Sequence, residues 1–369
     1  MKPRVPDHIA GIVPYPPGKP LEELEREYGI KGSIKLASNE NPLGPSPKAI
    51  AAMNGAMKRL HRYPDGSGYY LRQKISEKFG LPFDGIVLGN GSNEVIEFAV
   101  RALVQPGDEV IVPDPSFLLY KLVTQSVAGK AIPVPLRNLA IDLRGTLAAV
   151  TPRTRIVFLT NPNNPTGQLM GKTEFDSFLE KLPPEVLVVL DEAYIEFARD
   201  KNTPLGFDYV DHQGPYVIVL RTFSKAYGLA GLRIGYGVGA PFIVDILNRV
   251  HQPFNTGSLS QVAAMAALDD DDFVRATQET VWTGLDYLYR EVERLQLRYV
   301  PSQANFFLIE VPLDAKLIFE HMLRQGVIIR PMSAYGMPRT IRVNAGLPEE
   351  NERFIRALDR TLRELGHTG

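Results

Sequence analysis

The sequence has no cysteine among its 369 residues. This absence excludes disulfides, thiolate metal sites and a cysteine nucleophile, and it fits a reduced, cytoplasmic setting. Long apolar runs are also absent: VLVVL at 186–190 is far too short to span a bilayer. The polar, proline-containing N-terminus does not resemble a signal peptide. We therefore expect a cytoplasmic protein that does not cross a membrane.

An excess of charge of either sign is missing too. The chain has 41 basic and 42 acidic residues, so its net charge is -1, which argues against nucleic acid or an anionic membrane as the main partner. The contents of 44% hydrophobic and 22% charged residues are ordinary for a globular protein. Because 369 residues exceed the length over which one core keeps growing, we expect two domains.

Short apolar runs alternate with helical patterns between residues 31 and 255. The runs at 155–160, 186–190 and 216–223 are continuous rather than alternating, which is typical of strands buried on both faces of a mostly parallel sheet. A helical pattern at 93–104 lies between two such runs. The sequence therefore predicts a large α/β domain over 31–255.

The two ends of the chain have a different texture. Residues 1–30 contain four prolines between Val13 and Leu21 and are predicted to form an arm that packs with the small domain. Residues 256–369 begin with a long amphipathic helical stretch and continue with strands and helices in turn. We expect them to form a smaller C-terminal α+β domain.

Two glycine-rich or proline-rich motifs follow predicted strands, where ligands bind in open α/β sheets. In GNGSNE (89–94), Ser92 and Asn93 open a helix whose backbone N–H groups can bind an anion. In NPNNPTG (161–167), prolines and a glycine impose a fixed loop that carries three asparagines. The alternative for both motifs is an ordinary turn.

Two charged residues also follow buried strands. Asp191, at the start of DEAYIEF (191–197), would be costly to bury unpaired; a protonated ring nitrogen of a ligand would pair with it, and a distant arginine is the alternative. Lys225 lies in RTFSKAYGLAGLRIGY (221–236) among small and apolar residues. Desolvation lowers the pKa of such a lysine and makes its amine reactive. A surface lysine is the less favoured alternative.

Together the four motifs resemble fold type I pyridoxal-phosphate (PLP) aminotransferases, in particular the histidinol-phosphate aminotransferases and the related aromatic amino-acid aminotransferases. The resemblance covers nearly the whole chain, from ASNENPLGPSP (37–47) through RYPDG (62–66) to IRVNAGLPEENERF (341–354). It implies a mostly parallel seven-stranded sheet sandwiched by helices, pyridoxal 5'-phosphate as cofactor, and no metal. It also implies a homodimer with shared active sites.

The resemblance also implies roles for individual residues. Lys225 would carry the cofactor as a Schiff base and shuttle the proton between substrate and cofactor carbons, while Asp191 would keep the pyridine nitrogen protonated. Tyr194 and Asn164 would bind the phenolic oxygen, and Phe117 would stack on the ring. The residues implied to hold the phosphate are Ser92, Asn93, Thr222, Ser224 and Arg233, with Tyr63 from the second subunit.

Substrate binding is implied for three further residues. Arg342 would bind the substrate carboxylate bidentately, and the same fork can hold a phosphate. Arg330 could add a second cation or form a structural ion pair. Tyr15 would line the side-chain pocket, with packing of the arm as its alternative. The resemblance also predicts cis peptide bonds at Asn164-Pro165 and Asp114-Pro115.

Four functions remain open from the sequence. The main prediction is conversion of histidinol phosphate and 2-oxoglutarate into imidazole acetol phosphate and glutamate, in histidine biosynthesis. The alternative is transamination of aromatic amino acids, which VIIRPMSAYGMP (327–338) does not separate from it. A PLP decarboxylase and a PLP sensor without turnover are less favoured; sensors of this kind carry an additional DNA-binding domain.

Overall fold

The computed structural model describes residues 3–15, 18–212 and 214–367. Its helices are α1 (Asp7–Ala10), α2 (Leu21–Tyr28), α3 (Pro47–Ala56), α4 (Tyr69–Phe79), α5 (Ser92–Leu103), α6 (Leu119–Ser126), α7 (Leu143–Ala148), α8 (Lys172–Leu179), α9 (Pro241–Asn248), α10 (Ser258–Leu268), α11 (Asp271–Arg294), α12 (Ala315–Arg324) and α13 (Pro348–Glu364). None of the helices in these ranges is long and apolar enough to cross a membrane.

The strands are β1 (Ile34–Lys35), β2 (Ile86–Gly89), β3 (Glu109–Asp114), β4 (Lys130–Pro135), β5 (Thr154–Thr160), β6 (Leu187–Asp191), β7 (Val217–Thr222), β8 (Gly235–Gly239), β9 (Tyr299–Val300), β10 (Phe306–Glu310), β11 (Val327–Ile328), β12 (Arg330–Pro331) and β13 (Thr340–Asn344). Seven of them form one sheet in the order β2-β8-β7-β6-β5-β3-β4. Strand β8 runs antiparallel to the other six strands, which are parallel to one another. The predicted mostly parallel seven-stranded sheet is confirmed.

Both faces of this sheet are covered, as the continuous apolar runs predicted. In β6, Leu187 and Val189 pack into one hydrophobic cluster with α5 and α9. Val188 and Leu190 point the other way, into a second and larger cluster. Because successive side chains of a strand point to opposite faces, a strand between two layers of helices needs apolar residues at every position.

A second, four-stranded sheet has the order β12-β13-β10-β9. The segment VIIRPM (327–332) is divided between two sheets: β11 pairs in parallel with β1, whereas β12 pairs with β13. Because β11 is hydrogen-bonded to the N-terminal β1, it does not pair with β13. Arg330 is the first residue that returns to it, directly opposite Arg342.

Residues on the two sides of each predicted domain border pack against each other. Leu24 of α2 packs with Leu323 and Ile328, and Gln125 of α6 donates to the backbone oxygen of His8 at 3.2 Å. Helix α10, placed after the predicted border at 256, packs against α3 and α4. The predicted domain limits 1–30, 31–255 and 256–369 stay a prediction.

One of the two predicted cis bonds is present. Asp114-Pro115 is cis, but Asn164-Pro165 is trans, so that prediction is wrong; Asn161-Pro162 is cis instead. Pairing of β5 with β6 continues up to Asn161, whose N–H donates to the Asp191 oxygen at 2.9 Å. The cis bond therefore follows directly after the last hydrogen bond between these strands. The loop beyond it is closed by the Gly167 N–H, which donates to the Asn163 oxygen at 2.6 Å.

Candidate active site

The parallel strands β5, β6 and β7 end side by side and place Thr160, Asp191 and Thr222 next to one another at the C-terminal ends of the strands. A cavity of about 300 Å³ opens at these strand ends. Of the predicted site residues, all except Tyr63 line it: Tyr15, Ser92, Asn93, Phe117, Asn164, Asp191, Tyr194, Thr222, Ser224, Lys225, Arg233, Arg330 and Arg342.

One end of the cavity can bind an anion. Helix α5 begins at Ser92 after Gly91, which has a φ of 77°, and its first turn presents free backbone N–H groups. Arg233 lies against Gly91 and donates to the Ser224 hydroxyl at 3.4 Å. The Thr222 hydroxyl donates to the Ser224 hydroxyl at 3.0 Å. Hydroxyls, helix N–H groups and a guanidinium thus converge, as a phosphate requires.

Asp191 is 4% exposed at the end of β6. Its Oδ2 accepts from the Tyr120 hydroxyl at 2.7 Å and its Oδ1 from the Ala193 N–H at 3.1 Å. The structure gives it no ion pair within the described ranges, so the alternative of a distant arginine is not realised; Arg221 pairs instead with Glu192 and Glu196. Burial raises the pKa of Asp191, against the Tyr120 hydrogen bond, which lowers it.

Lys225 has the environment that the sequence predicted. It is half-buried after β7, and its Nζ donates to the Ser38 oxygen at 3.1 Å. Burial lowers its pKa to about 8, assisted by the positive charges of Arg342 and Arg233. A fraction of its amine is therefore neutral and nucleophilic near neutral pH.

Tyr194 holds its hydroxyl over the same cavity. The hydroxyl oxygen accepts from the Asn39 side chain at 3.0 Å and from the Asn164 side chain at 3.4 Å. Burial raises the pKa of Tyr194 to about 12, so the phenol stays protonated. With both lone pairs occupied, its O–H is available to donate to a ligand.

Two further cationic groups of the cavity, Arg342 and Arg330, come from the second sheet. Arg342 is 6% exposed and donates to the Asn164 Oδ1 at 2.5 Å and to the Ala37 oxygen at 3.1 Å. Its Nε is buried without a hydrogen-bond partner among the described residues. The directly opposed Arg330 lies 5.9 Å from the centre of the Tyr15 ring.

Of two aromatic residues predicted to contact the cofactor, one lies in the cavity and the other lies on the surface. Phe117 meets the rings of Tyr15 and Tyr120 edge-on, at 6.5 and 5.7 Å between centres, and its ring lines the cavity. Tyr63 is 82% exposed and stacks on Phe254, with 4.8 Å between ring centres. Its predicted approach to a partner's phosphate stays a prediction.

Three residues at the site were missed by sequence reasoning. Asn39 belongs to ASNENPLGPSP, which was recognised without a role for this position, and Thr160 ends the predicted strand RIVFLT. Tyr120 lies three residues after Phe117, on α6, and its hydroxyl contacts both Asp191 and Thr160. The position of Thr160 at a strand end was a usable signal, whereas nothing local distinguishes Tyr120.

The fold and the site together define a class. Residues 31–358 match the family described as aminotransferase class I and II, and the chain belongs to that family.

Relatives within this class carry a more specific name. The chain is 48% identical to a histidinol-phosphate aminotransferase of Moorella thermoacetica, over 96% of this chain and 92% of that protein. It is 49% identical to one of Desulfotalea psychrophila, over 98% and 96%. A crystal structure of histidinol-phosphate aminotransferase from Sinorhizobium meliloti, in complex with pyridoxal-5'-phosphate, superposes with a TM-score of 0.91 at 29% identity and covers 99% of each chain.

Proposed function

We propose that this protein is a PLP-dependent histidinol-phosphate aminotransferase, which converts histidinol phosphate and 2-oxoglutarate into imidazole acetol phosphate and glutamate. Relatives of that name share nearly half of its residues over almost the full length. The observation within the structure that carries the proposal is the pair of opposed arginines, Arg330 and Arg342, in the wall of a cavity that also holds Lys225.

The residues present fit pyridoxal 5'-phosphate. Asp191, a buried carboxylate with no ion pair among the described residues, is suited to a protonated ring nitrogen. The first turn of α5, with Thr222, Ser224 and Arg233, is suited to the phosphate. When bound, PLP supplies an electron sink for the charge that develops at the substrate carbon.

The protein's own groups then perform the remaining work. Lys225 would be the covalent attachment point for PLP, and its Nζ would be the base that removes the proton from the substrate carbon that bears the amino group. Its pKa of about 8 suits a base that must exchange a proton near neutral pH. The Tyr194 O–H would donate to the cofactor's phenolic oxygen, and the side chains of Asn164 and Asn39 hold the Tyr194 hydroxyl in place.

Substrate choice follows from the charges opposite each other on β12 and β13. A phosphate monoester carries up to two negative charges at neutral pH, and Arg330 with Arg342 presents two guanidinium groups on one face of the sheet. Glutamate, with a carboxylate in place of the phosphate, can use the same two residues. An aromatic amino acid presents only one singly charged carboxylate to this pair, so two guanidinium groups favour the phosphate of histidinol phosphate, which carries up to two negative charges.

The experiment compares acceptors with glutamate as the donor. We expect imidazole acetol phosphate to be preferred over phenylpyruvate and 4-hydroxyphenylpyruvate, with conversion of bound PLP to its amine form. In Arg330→Gln, the specificity constant for histidinol phosphate should fall about tenfold or more. The specificity constant for phenylalanine should fall less. Arg339→Gln, an exposed arginine of the same domain, is the matched control. A preference for the aromatic acids would assign the alternative function, and carbon dioxide release would assign a decarboxylase.

We further propose that the enzyme is a cytoplasmic homodimer whose subunits share active sites. Support comes from the exposed, stacked pair Tyr63 and Phe254, which a partner subunit would cover.

A further inference from the structure

Tyr120 is the buried neighbour of Asp191 that the mechanism above does not use. It is 1% exposed on α6. Its ring is clamped by Phe158, which stacks on it at 4.4 Å between centres with 9° between planes, and by Phe117, which meets it edge-on. A side chain packed in this way presents its hydroxyl in one fixed direction.

The hydroxyl connects two strand ends. It donates to the Asp191 Oδ2 at 2.7 Å and lies 2.8 Å from the Thr160 Oγ1. An ionised carboxylate can only accept hydrogen bonds, so the Tyr120 proton is committed to Asp191. The Thr160 hydroxyl must then be the donor to the Tyr120 oxygen, and the three groups form a chain that ends on the carboxylate.

This chain opposes the effect of burial on Asp191. Removal from water favours the neutral acid, whereas a hydrogen bond to the carboxylate favours the charged form. The titratable groups that face Asp191 are Tyr120 from α6, Tyr194 just beyond β6 and Lys225 beyond β7. The pKa of Tyr120 is itself raised well above its usual range by burial and by the charge of Asp191, so it remains a donor.

We propose that Tyr120 is a positioning residue that keeps Asp191 ionised and aims it at the ring nitrogen of the cofactor. This inference rests on the proposed function. It goes beyond that function, because the effect of Tyr120 is confined to one atom of the cofactor and does not depend on the amino donor or acceptor.

The test replaces Tyr120 with phenylalanine and measures affinity for two probes in the full-length, cofactor-free enzyme. The probes are pyridoxal 5'-phosphate and an analogue with C–H in place of the ring nitrogen. In Tyr120→Phe the dissociation constant for PLP should rise about tenfold or more, as for loss of a hydrogen bond to a charged group. The analogue should bind equally to both enzymes.

The pH profile gives a second readout. Loss of the hydrogen bond raises the pKa of Asp191, so protonation on acidification begins at a higher pH. The midpoint at which PLP affinity falls should therefore shift upward in Tyr120→Phe. The matched control is Tyr236→Phe: Tyr236 is also buried among aromatic rings, and its hydroxyl has no hydrogen bond within the described part of the chain. It should shift neither the affinity nor the midpoint.

Each result decides the matter. An equal loss of affinity for PLP and for the analogue would make Tyr120 a packing residue and overturn the inference, as would unchanged PLP binding. If Tyr120→Phe does not fold, Thr160→Val decides, because it removes the donor to Tyr120 and should weaken PLP binding in the same direction but less. Wild-type enzyme that binds no PLP would instead refute the proposed function.

Discussion

At the scale of single residues, Lys225 shows how environment creates reactivity. A lysine in water is protonated up to high pH, but here burial, together with the charges of Arg342 and Arg233, lowers its pKa to about 8. The neutral amine is the nucleophile. In the cofactor-free enzyme, the rate of PLP capture should therefore rise with pH and level off above about 8, rather than above the ordinary lysine pKa of about 10.4; stopped-flow absorbance checks this.

Substitution identifies the lysine responsible. Lys225→Ala should lose transamination altogether, and borohydride reduction of the native enzyme should leave the cofactor on the peptide that contains Lys225. Lys181→Ala is the control, because Lys181 is exposed on the surface and contacts Ser177. A label on another lysine would contradict the assignment.

Arg342 should bind the anionic end of both substrates. Its Nη atoms are held by Asn164 and Ala37, while its Nε is buried with no hydrogen-bond partner in the described part of the chain. Arg342→Lys removes the planar fork and leaves a point charge. We expect both half-reactions to lose about 1.5–3 kcal/mol of transition-state binding, or roughly tenfold or more in specificity constant.

Single half-reactions separate this role from a structural one. Binding of PLP, followed by its absorbance, should survive in Arg342→Lys because Arg342 lies outside the phosphate-binding group. Unchanged kinetics with glutamate, or loss of PLP together with the arginine, would make Arg342 structural and leave Arg330 as the first candidate for substrate binding.

At the scale of elements, the turn between β2 and α5 positions the anion site. Gly91 has a φ of 77°, and a β-carbon there would lie 2.4 Å from the Arg233 Nη2. Gly91→Ala should therefore displace Arg233 and strain the backbone, because a φ of 77° with a ψ of 166° costs a residue other than glycine about 1–3 kcal/mol. We expect weaker PLP binding and a lower thermal midpoint.

Gly231→Ala provides the matched control for this change. Gly231 lies two residues before Arg233, and a β-carbon there would meet no atom within 4 Å. The affinity of the Gly231→Ala variant for PLP, measured by equilibrium titration, should equal that of the wild type. An equal loss in both variants would mean that the close approach of Gly91 and Arg233 does not matter.

At the scale of the whole molecule, the proposed site combines residues of both sheets, and the proposed dimer would add Tyr63 from a second subunit. The Asn39 N–H donates to the Asn344 side chain at 3.1 Å, and the Asn305 side chain donates to the Asn39 oxygen at 3.1 Å. These contacts fix the N-terminal wall of the cavity to the sheet that carries Arg342. The cavity is thus built from distant parts of the chain.

The shared-site prediction concerns Tyr63. If its hydroxyl binds the partner's cofactor phosphate, Tyr63→Phe should weaken PLP binding about tenfold, as for a hydrogen bond to a charged group, without changing the oligomeric state. Light scattering should give twice the chain mass for both proteins. Tyr70→Phe, another exposed tyrosine, is the control. Unaltered PLP affinity in Tyr63→Phe, or a monomeric wild type, would refute the shared site.

Much of the fold could be predicted because burial leaves a local pattern. The runs at 155–160 and 186–190 became β5 and β6, buried on both faces. Loop geometry was less accessible: the cis bond precedes Pro162 rather than Pro165, and no local pattern distinguishes the two prolines of this loop. The division of VIIRPM between two sheets likewise depends on the position of β1, nearly three hundred residues earlier, which no local pattern encodes.

The sequence by itself determined where the reactive residues lie relative to the strands: Asp191 and Lys225 each follow a buried strand. It could do so because apolar runs and turn residues act over a few positions. The tertiary structure alone decided which groups meet. Tyr120 reaches Asp191 across 71 residues and Asn39 reaches Tyr194 across 155. Such contacts arise only when crossovers bring strand ends together, so a hydrogen bond between distant side chains has no local signature.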